Sequence, residues 1–336
     1  MNKCKKGKLT KKFPTNFINP KITVIIPIYN CQNSIKQVLS SIQNQNMTEI
    51  EIILVNDQSK DNSLKIIENI QKDDKRIKII NNKKNMGILY SRSIGVLQAR
   101  GQYIFPLDND DMFFDDDVFD FVYKEAKNYN DDIVGFKAIQ SYDYKASIKE
   151  MEDGCHMHNN NFTIHRPELG LFGISKNNTF KIIEVHIWSK CIKNNIYKKA
   201  VNLLEQRYFF MVNWAEDTSM VFLLFNIAES YRYVTKYGIF RFNRINSASA
   251  SMPDSYILFG EIFFLDIIFD FTENNFKSKK YAVYKAFYIK NLLNSKSLNN
   301  INLNYLKIVI KKILSCQYID QQDKIKIKSD FEQFIK

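Results

Sequence analysis

The chain has 336 residues, 45% hydrophobic and 14% aromatic, with a formal net charge of +12. That length suits one large α/β domain with an appendage, or two domains, and the composition is that of a globular protein. The positive charge is confined to the ends. Residues 1–12 hold Lys3, Lys5, Lys6, Lys8, Lys11 and Lys12 with no acid, and residues 277–336 hold 13 Lys against 4 acids, which leaves residues 13–276 at −3. A mildly acidic body argues against a nucleic-acid groove. The basic flanks fit either a solvated face or peripheral contact with anionic phospholipid.

Five cysteines (Cys4, Cys31, Cys155, Cys191, Cys316) are scattered without a CxxC pair, which speaks against a disulfide framework and for a reducing compartment. The basic N-terminus is followed by no apolar segment of signal-peptide type. The most apolar late stretch, 256–271, contains Glu261 and Asp266 and is too short and too charged to span a bilayer. The expected location is cytoplasmic, either soluble or peripheral on the cytosolic face of a membrane.

In chain order, residues 1–20 read as a disordered basic leader. Ile22–Ile28 reads as a buried strand ending in Pro27-Ile-Tyr-Asn30. Asn33 or Ser34 is then positioned to cap a helix with apolar residues Ile35, Val38, Leu39 and Ile42, the spacing of one helix face. A second strand over 50–55 ends at Asn56-Asp57. Residues 59–63 supply caps for a helix burying Ile66, Ile67 and Ile70. A third strand covers 77–80. The next helix is expected to line one face with Met86, Leu89, Tyr90, Ser93 and Leu97, and a fourth strand spans 103–107. A helix near 117–129 and a strand near 132–140 follow, then loops and short strands over 145–185. Helices are expected at 188–204 and 216–228, a strand or hairpin at 231–242, and helix from about 254 to the end.

Three successive strand–helix units imply a parallel sheet with right-handed crossovers, and ligands of such sheets bind beyond the carboxyl ends of the strands. Tyr29, Asp57 and the acids Asp108, Asp110 and Asp111 all fall at such ends. Carboxylates clustered at the end of a buried strand repel one another, and a divalent cation is the usual relief. An Asp-x-Asp in that place suggests a metal that holds a nucleotide diphosphate.

Thr23-Val-Ile-Ile-Pro-Ile-Tyr-Asn30, Ile52-Ile-Leu-Val-Asn-Asp-Gln-Ser59, Asn85-Met-Gly87 with Ser91-Arg-Ser-Ile-Gly95, Leu107-Asp-Asn-Asp-Asp111 and Ala215-Glu-Asp217 occur in that order. Over roughly residues 21–250 the chain resembles a family 2 glycosyltransferase. The resemblance implies a GT-A fold: an open, mostly parallel twisted sheet flanked by helices, here with a C-terminal helical extension. It implies a nucleotide-binding half at 21–111, an acceptor half at 112–250 and a helical region at 251–336.

It further implies an inverting, metal-dependent transfer of one sugar from a nucleotide sugar, expected to be a UDP-sugar, to a hydroxyl on a glycan or lipid-linked glycan. Pro27 and Tyr29 would border the base, Asp57 would accept from the base N–H, and Gly87 would let the loop approach the nucleotide. Arg92 would bind ribose or phosphate oxygens, and Arg244 would contact the diphosphate. Asp110, with Asp108, would hold Mn²⁺ or Mg²⁺. Asp217 would be the general base, with Trp188 and Glu216 on the acceptor side. Asn56 departs from the acid that many relatives carry, so base recognition rests on Asp57.

Each assignment has a plainer rival: Tyr29 capping the core, Arg92 on the surface, the acids as a charged turn, Glu216 and Asp217 as helix-start acids, and Trp188 as a core residue. His156-x-His158 lacks the partners of a zinc site. No histidine follows Asp217, so the late His that is a third metal ligand in some GT-A enzymes has no candidate, and the absent Gln-x-x-Arg-Trp signature, with the lack of a membrane-spanning stretch, argues against a processive synthase. Rival functions are a sugar nucleotidyltransferase, whose Gly-rich triphosphate loop is missing after the first strand, and a degenerate relative that binds without turnover.

Overall fold

The structure is a computed structural model. It describes residues 19–141, 152–153, 159–165, 172–174, 180–182, 186–204, 216–242, 260, 262–264, 266–267, 303–315 and 321–335. The basic leader, His156, His158 and Arg244 lie outside the described residues.

The first half alternates strand and helix: β1 (Ile22–Ile28), α1 (Ile35–Gln43), β2 (Ile50–Asn56), α2 (Ser63–Asp73), β3 (Ile77–Asn81), α3 (Ile88–Gln98) and β4 (Tyr103–Pro106). The four strands lie parallel in the order β3-β2-β1-β4. β1 is buried along its whole length. Ile22, Val24, Ile26 and Ile28 face a core shared with α1 and α4, and Ile25 faces the opposite core with α3. Burial on both faces explains why this strand reads as an unbroken apolar run.

Then come β5 (Met112–Phe113), α4 (Val118–Tyr129), β6 (Ile133–Ser141), β7 (Glu152–Asp153), β8 (Phe162–His165), β9 (Phe172–Ile174), β10 (Phe180–Ile182), β11 (Lys190–Lys193), α5 (Asn194–Leu203), α6 (Glu216–Ile227) and β12 (Ser230–Phe242). The ten-stranded sheet continues from β4 through β11, β6 and β12 to β5, while β9 and β10 pair separately. β11 is antiparallel to both neighbours, β6 and β12 are parallel, and β12 also pairs antiparallel with β8 and β5. Two C-terminal helices, α7 (Leu303–Ser315) and α8 (Gln321–Ile335), complete the described elements. Leu306, Val309, Ile310, Ile327 and Phe331 from these helices join the same core as Phe222 and Phe225 of α6. Among the described residues, no helix is long and apolar enough to cross a membrane.

Several local expectations are corrected. Ser34 does not cap α1 with its side chain; its hydroxyl donates to the carbonyls of Cys31 and Asn109. α2 fully buries Ile67, with Ile66 and Ile70 only partly covered. α3 turns only part of the expected stripe inward: Leu89 and Ser93 are buried, together with Ser91, Arg92, Gly95 and Val96, and Leu97 is exposed. A Cβ at Gly95 would come within 2.5 Å of Ile25 Cγ2, so the helix uses small residues to lie against β1. The helix expected over 188–204 is a strand followed by a helix, because β11 fills the hydrogen-bonding edge between β4 and β6.

Candidate active site

The loops beyond β1 and β2 are stitched together. The Asn30, Cys31 and Gln32 backbone N–H groups donate to Ser59 Oγ, Ser63 Oγ and Asp61 Oδ2. Tyr29 stands at the rim of this seam, 43% exposed, so it does not cap the core. Pro27 is buried and its carbonyl accepts from Asn109 Nδ2 at 3.1 Å. Asn109 thereby ties the acid loop after β4 to the end of β1. β5 holds the other side of that loop through its pairing with β12.

Asp57 is 4% exposed. One carboxylate oxygen accepts from Asn82 Nδ2 at 2.7 Å and Met86 N at 2.8 Å, and the other from Gly87 N at 2.8 Å. Asn82 also donates to Ser91 Oγ at 2.9 Å, so the ends of β2 and β3 and the start of α3 form one network. Gly87 has φ 86, a conformation that glycine adopts without steric cost. Asp57 and Gly87 therefore fix the loop over 82–87. The family-derived base contact would use what acceptor capacity Asp57 has left, since a carboxylate offers about four lone-pair sites. Asn56, the departure noted above, donates to Asn81 Oδ1 at 2.9 Å and accepts from Ser59 N at 3.2 Å. An ionised Asp could not make the first of these bonds.

The acids cluster around Arg92. Its guanidinium is 3% exposed and donates from Nη2 to Asp108 Oδ1 at 2.8 Å, and from Nη1 to Asp217 Oδ1 at 2.8 Å and Glu216 Oε1 at 3.3 Å. Both terminal nitrogens of this guanidinium therefore pair with carboxylates in this structure. Among the described residues, its Nε is buried without a partner, and so is the hydroxyl of Tyr197 on α5. Tyr197 lies close enough for its phenol, pushed up by burial, to be influenced by Arg92, Asp217, Glu216 and Asp108.

Burial first, and the Asp217 charge second, pushes the Glu216 carboxyl from 4.5 up to about 8. Burial, with the charges of Asp108 and Asp110, raises Asp111 well above the usual carboxylate range, although Arg241 opposes the shift. Burial also raises Asp108, against the pull of Arg92. Two general effects are at work: desolvation and like charges both favour the neutral acid.

Trp188 does not offer a face to a sugar. It is 2% exposed, stacked with His186 at 4.8 Å, and Arg241 lies 4.9 Å from its ring centroid. Arg241 Nε is also 3.9 Å from Asp111 Oδ1. Sequence reasoning missed Arg241, Asn82 and Tyr197. Arg241 had one readable signal, a cation between Phe240 and Phe242 at a strand end; its approach to the acids depends on β12 meeting β5, with register shifts along the way.

A metal fits the donor set in part. Asp108 and Asp110 are hard oxygen donors on one loop, and Asp111 beside them is raised first by burial and then by their charges. Among the described residues, no three His, Cys, Asp or Glu side chains are grouped as a metal cage. Such a site suits Mg²⁺ or Mn²⁺, which take one or two carboxylates and complete their shell with diphosphate oxygens and water.

Residues 23–182 match the family described as "Glycosyl transferase family 2". The chain is 28% identical over 243 residues to a cholesterol galactosyltransferase of Borreliella burgdorferi, covering 69% of this chain and 63% of that protein. It is 34% identical over 99 residues to a chondroitin synthase of Pasteurella multocida, covering 30% of this chain and 10% of that protein. The chain thus spans less than two thirds of either relative. The crystal structure of S. aureus TarS 1–349 in complex with UDP-GlcNAc aligns with a TM-score of 0.63 at 14% identity, covering 94% of this chain and 89% of that one. That likeness establishes the shared GT-A architecture. The family match ends before Trp188, Glu216, Asp217 and Arg244.

Proposed function

We propose, on the match of residues 23–182 to glycosyl transferase family 2, that the chain transfers one hexosyl or N-acetylhexosaminyl unit, with inversion, from a UDP-sugar to a hydroxyl of a glycan or lipid-linked acceptor. The observation that carries this reading is the shared guanidinium of Arg92, which brings Asp108 of the donor half and Asp217 of α6 to one point. A base and a leaving-group site must flank the same anomeric carbon, and this juxtaposition meets that need.

In the proposed reaction the acceptor hydroxyl attacks the anomeric carbon from the side opposite the departing diphosphate. Asp217 takes the hydroxyl proton as the bond forms. Tyr29 packs on the base, and the Asp57–Gly87 clamp holds the loop over 82–87 against the nucleotide. Asp110 and Asp108 would hold Mn²⁺ or Mg²⁺, whose contribution is to offset charge on the diphosphate as a Lewis acid. A UDP donor is supported by the fold shared with the UDP-GlcNAc-bound structure, and an acceptor of glycan or lipid type by the names of the relatives.

The exposed lysines of α8, Lys326 and Lys328 beside exposed Ile325, support peripheral contact with anionic membrane on the cytosolic side. Lys312 of α7 does not contribute, since it pairs with buried Asp266.

The test is a panel of UDP-, GDP- and other nucleotide sugars, with and without Mn²⁺, read by nucleotide release and melting temperature. A UDP-sugar that both stabilises the protein and releases UDP supports the proposal. Stabilisation by nucleoside triphosphate with diphosphate release would instead identify a nucleotidyltransferase.

A further inference from the structure

We propose that Arg92 is a positioning residue for the general base, and that it acts through Asp217 rather than on the nucleotide. The inference rests on the reading of Asp217 as the base. Three observations carry it. Arg92 sits on α3, in the donor half, yet Nη1 is committed to Asp217 at 2.8 Å and Glu216 at 3.3 Å, both on α6. Nη2 is committed to Asp108 at 2.8 Å, so a single planar group fixes the direction of a base oxygen relative to the donor-side acid. The guanidinium is also 3% exposed, so it is enclosed with these carboxylates rather than open to solvent.

The chemistry favours arginine for this task. A guanidinium presents its donors in a rigid fork and can hold two carboxylates at a set angle, which the single ammonium of lysine cannot do. The remaining Asp217 oxygen is 3.5 Å from Ile187 N, a contact too long to orient the side chain well by itself. Without Arg92, the base would keep its identity and lose its aim. A misdirected base lowers turnover more than donor binding, because it matters chiefly in the transition state.

The experiment measures kcat and donor KM for Arg92→Lys and Arg92→Gln, alone and combined with Asp217→Asn, with UDP affinity by calorimetry. The variant read is the one whose melting temperature stays within about 4 °C of wild type. We expect kcat to fall by about 100-fold with donor KM and UDP affinity changed by less than about 3-fold. In the Asp217→Asn background the same substitution should lower the residual kcat by less than about 3-fold, because residues acting as a unit are not additive.

A loss of UDP affinity with kcat retained would overturn the proposal and return Arg92 to a phosphate contact. Additive losses in the double variant would overturn it too, and unfolding of both variants would make Arg92 a residue of the fold. Full activity of Asp217→Asn alone would sink the assignment of the base itself, whatever Arg92 does.

Discussion

β1, β2, β3 and β4 run parallel to one another, whereas β11 enters the sheet antiparallel to both β4 and β6. The difference extends to the acids. Asp57 of the first half accepts from Asn82 Nδ2, Met86 N and Gly87 N, all within residues 82–87. Asp108, also of the first half, is paired with an arginine that reaches α6 of the second. One carboxylate builds its own half. The other depends on both halves meeting, and the proposed chemistry falls at the dependent one.

Four expected outcomes sharpen or break this contrast, from the largest effect to the smallest. Asp217→Asn should cut transfer by about 1,000-fold, the middle of the range for a general base, while UDP affinity by calorimetry stays near wild type. Equal loss of UDP binding would place Asp217 in donor recognition and erase the distinction. Arg76→Ala should destabilise the first half by about 3–5 kcal/mol in urea unfolding, because it strands Asp74; that pair is bidentate and buried, at 2.9 and 2.8 Å with side-chain exposures of 1% and 0%. A change under about 1 kcal/mol would mean the pair is dispensable.

Asp57→Asn should cost about 1–3 kcal/mol, since an amide nitrogen would face backbone donors. Amide exchange at Met86 and Gly87 should quicken, and unchanged exchange there would refute the loop clamp.

Glu216→Gln should show as a slope rather than a loss. The folded-state value of Glu216 is raised from 4.5 to about 8, so its ionisation opposes folding: its contribution is fully present below pH 4.5 and is lost as pH rises through about 8. The variant should flatten the fall in melting temperature across that window. An unchanged profile would show that Arg92 neutralises Glu216 fully.

The parallel half was legible because its signals are strong and local. β1 is an apolar run, α1 repeats Ile35, Val38, Leu39 and Ile42 on one face, and the buried residues of α1 are those four. The acids at strand ends followed from the topology rule for parallel sheets. The second half was less legible for a physical reason. β11 has four residues, too few to show a period, and it is a strand only because β4 and β6 leave an edge to fill. The face of α3 was read only in part, Leu89 and Ser93 being buried as expected, because apolar spacing does not show which side turns inward when serines, a glycine and an arginine do the packing. Trp188 carried no sign of being enclosed, since His186 and Arg241 reach it from a turn and from a distant strand.

The sequence by itself determined the alternation of strands and helices, the basic flanks around an acidic body, and which acids stand at strand ends, because charge, period and order along the chain are local properties. Only the tertiary structure decided the partners of those acids. Arg92 lies 16 residues from Asp108 and 125 from Asp217, and no local pattern relates such positions. Their meeting depends on α5 packing against both α3 and α6, where a charge withdrawn from water must find its opposite.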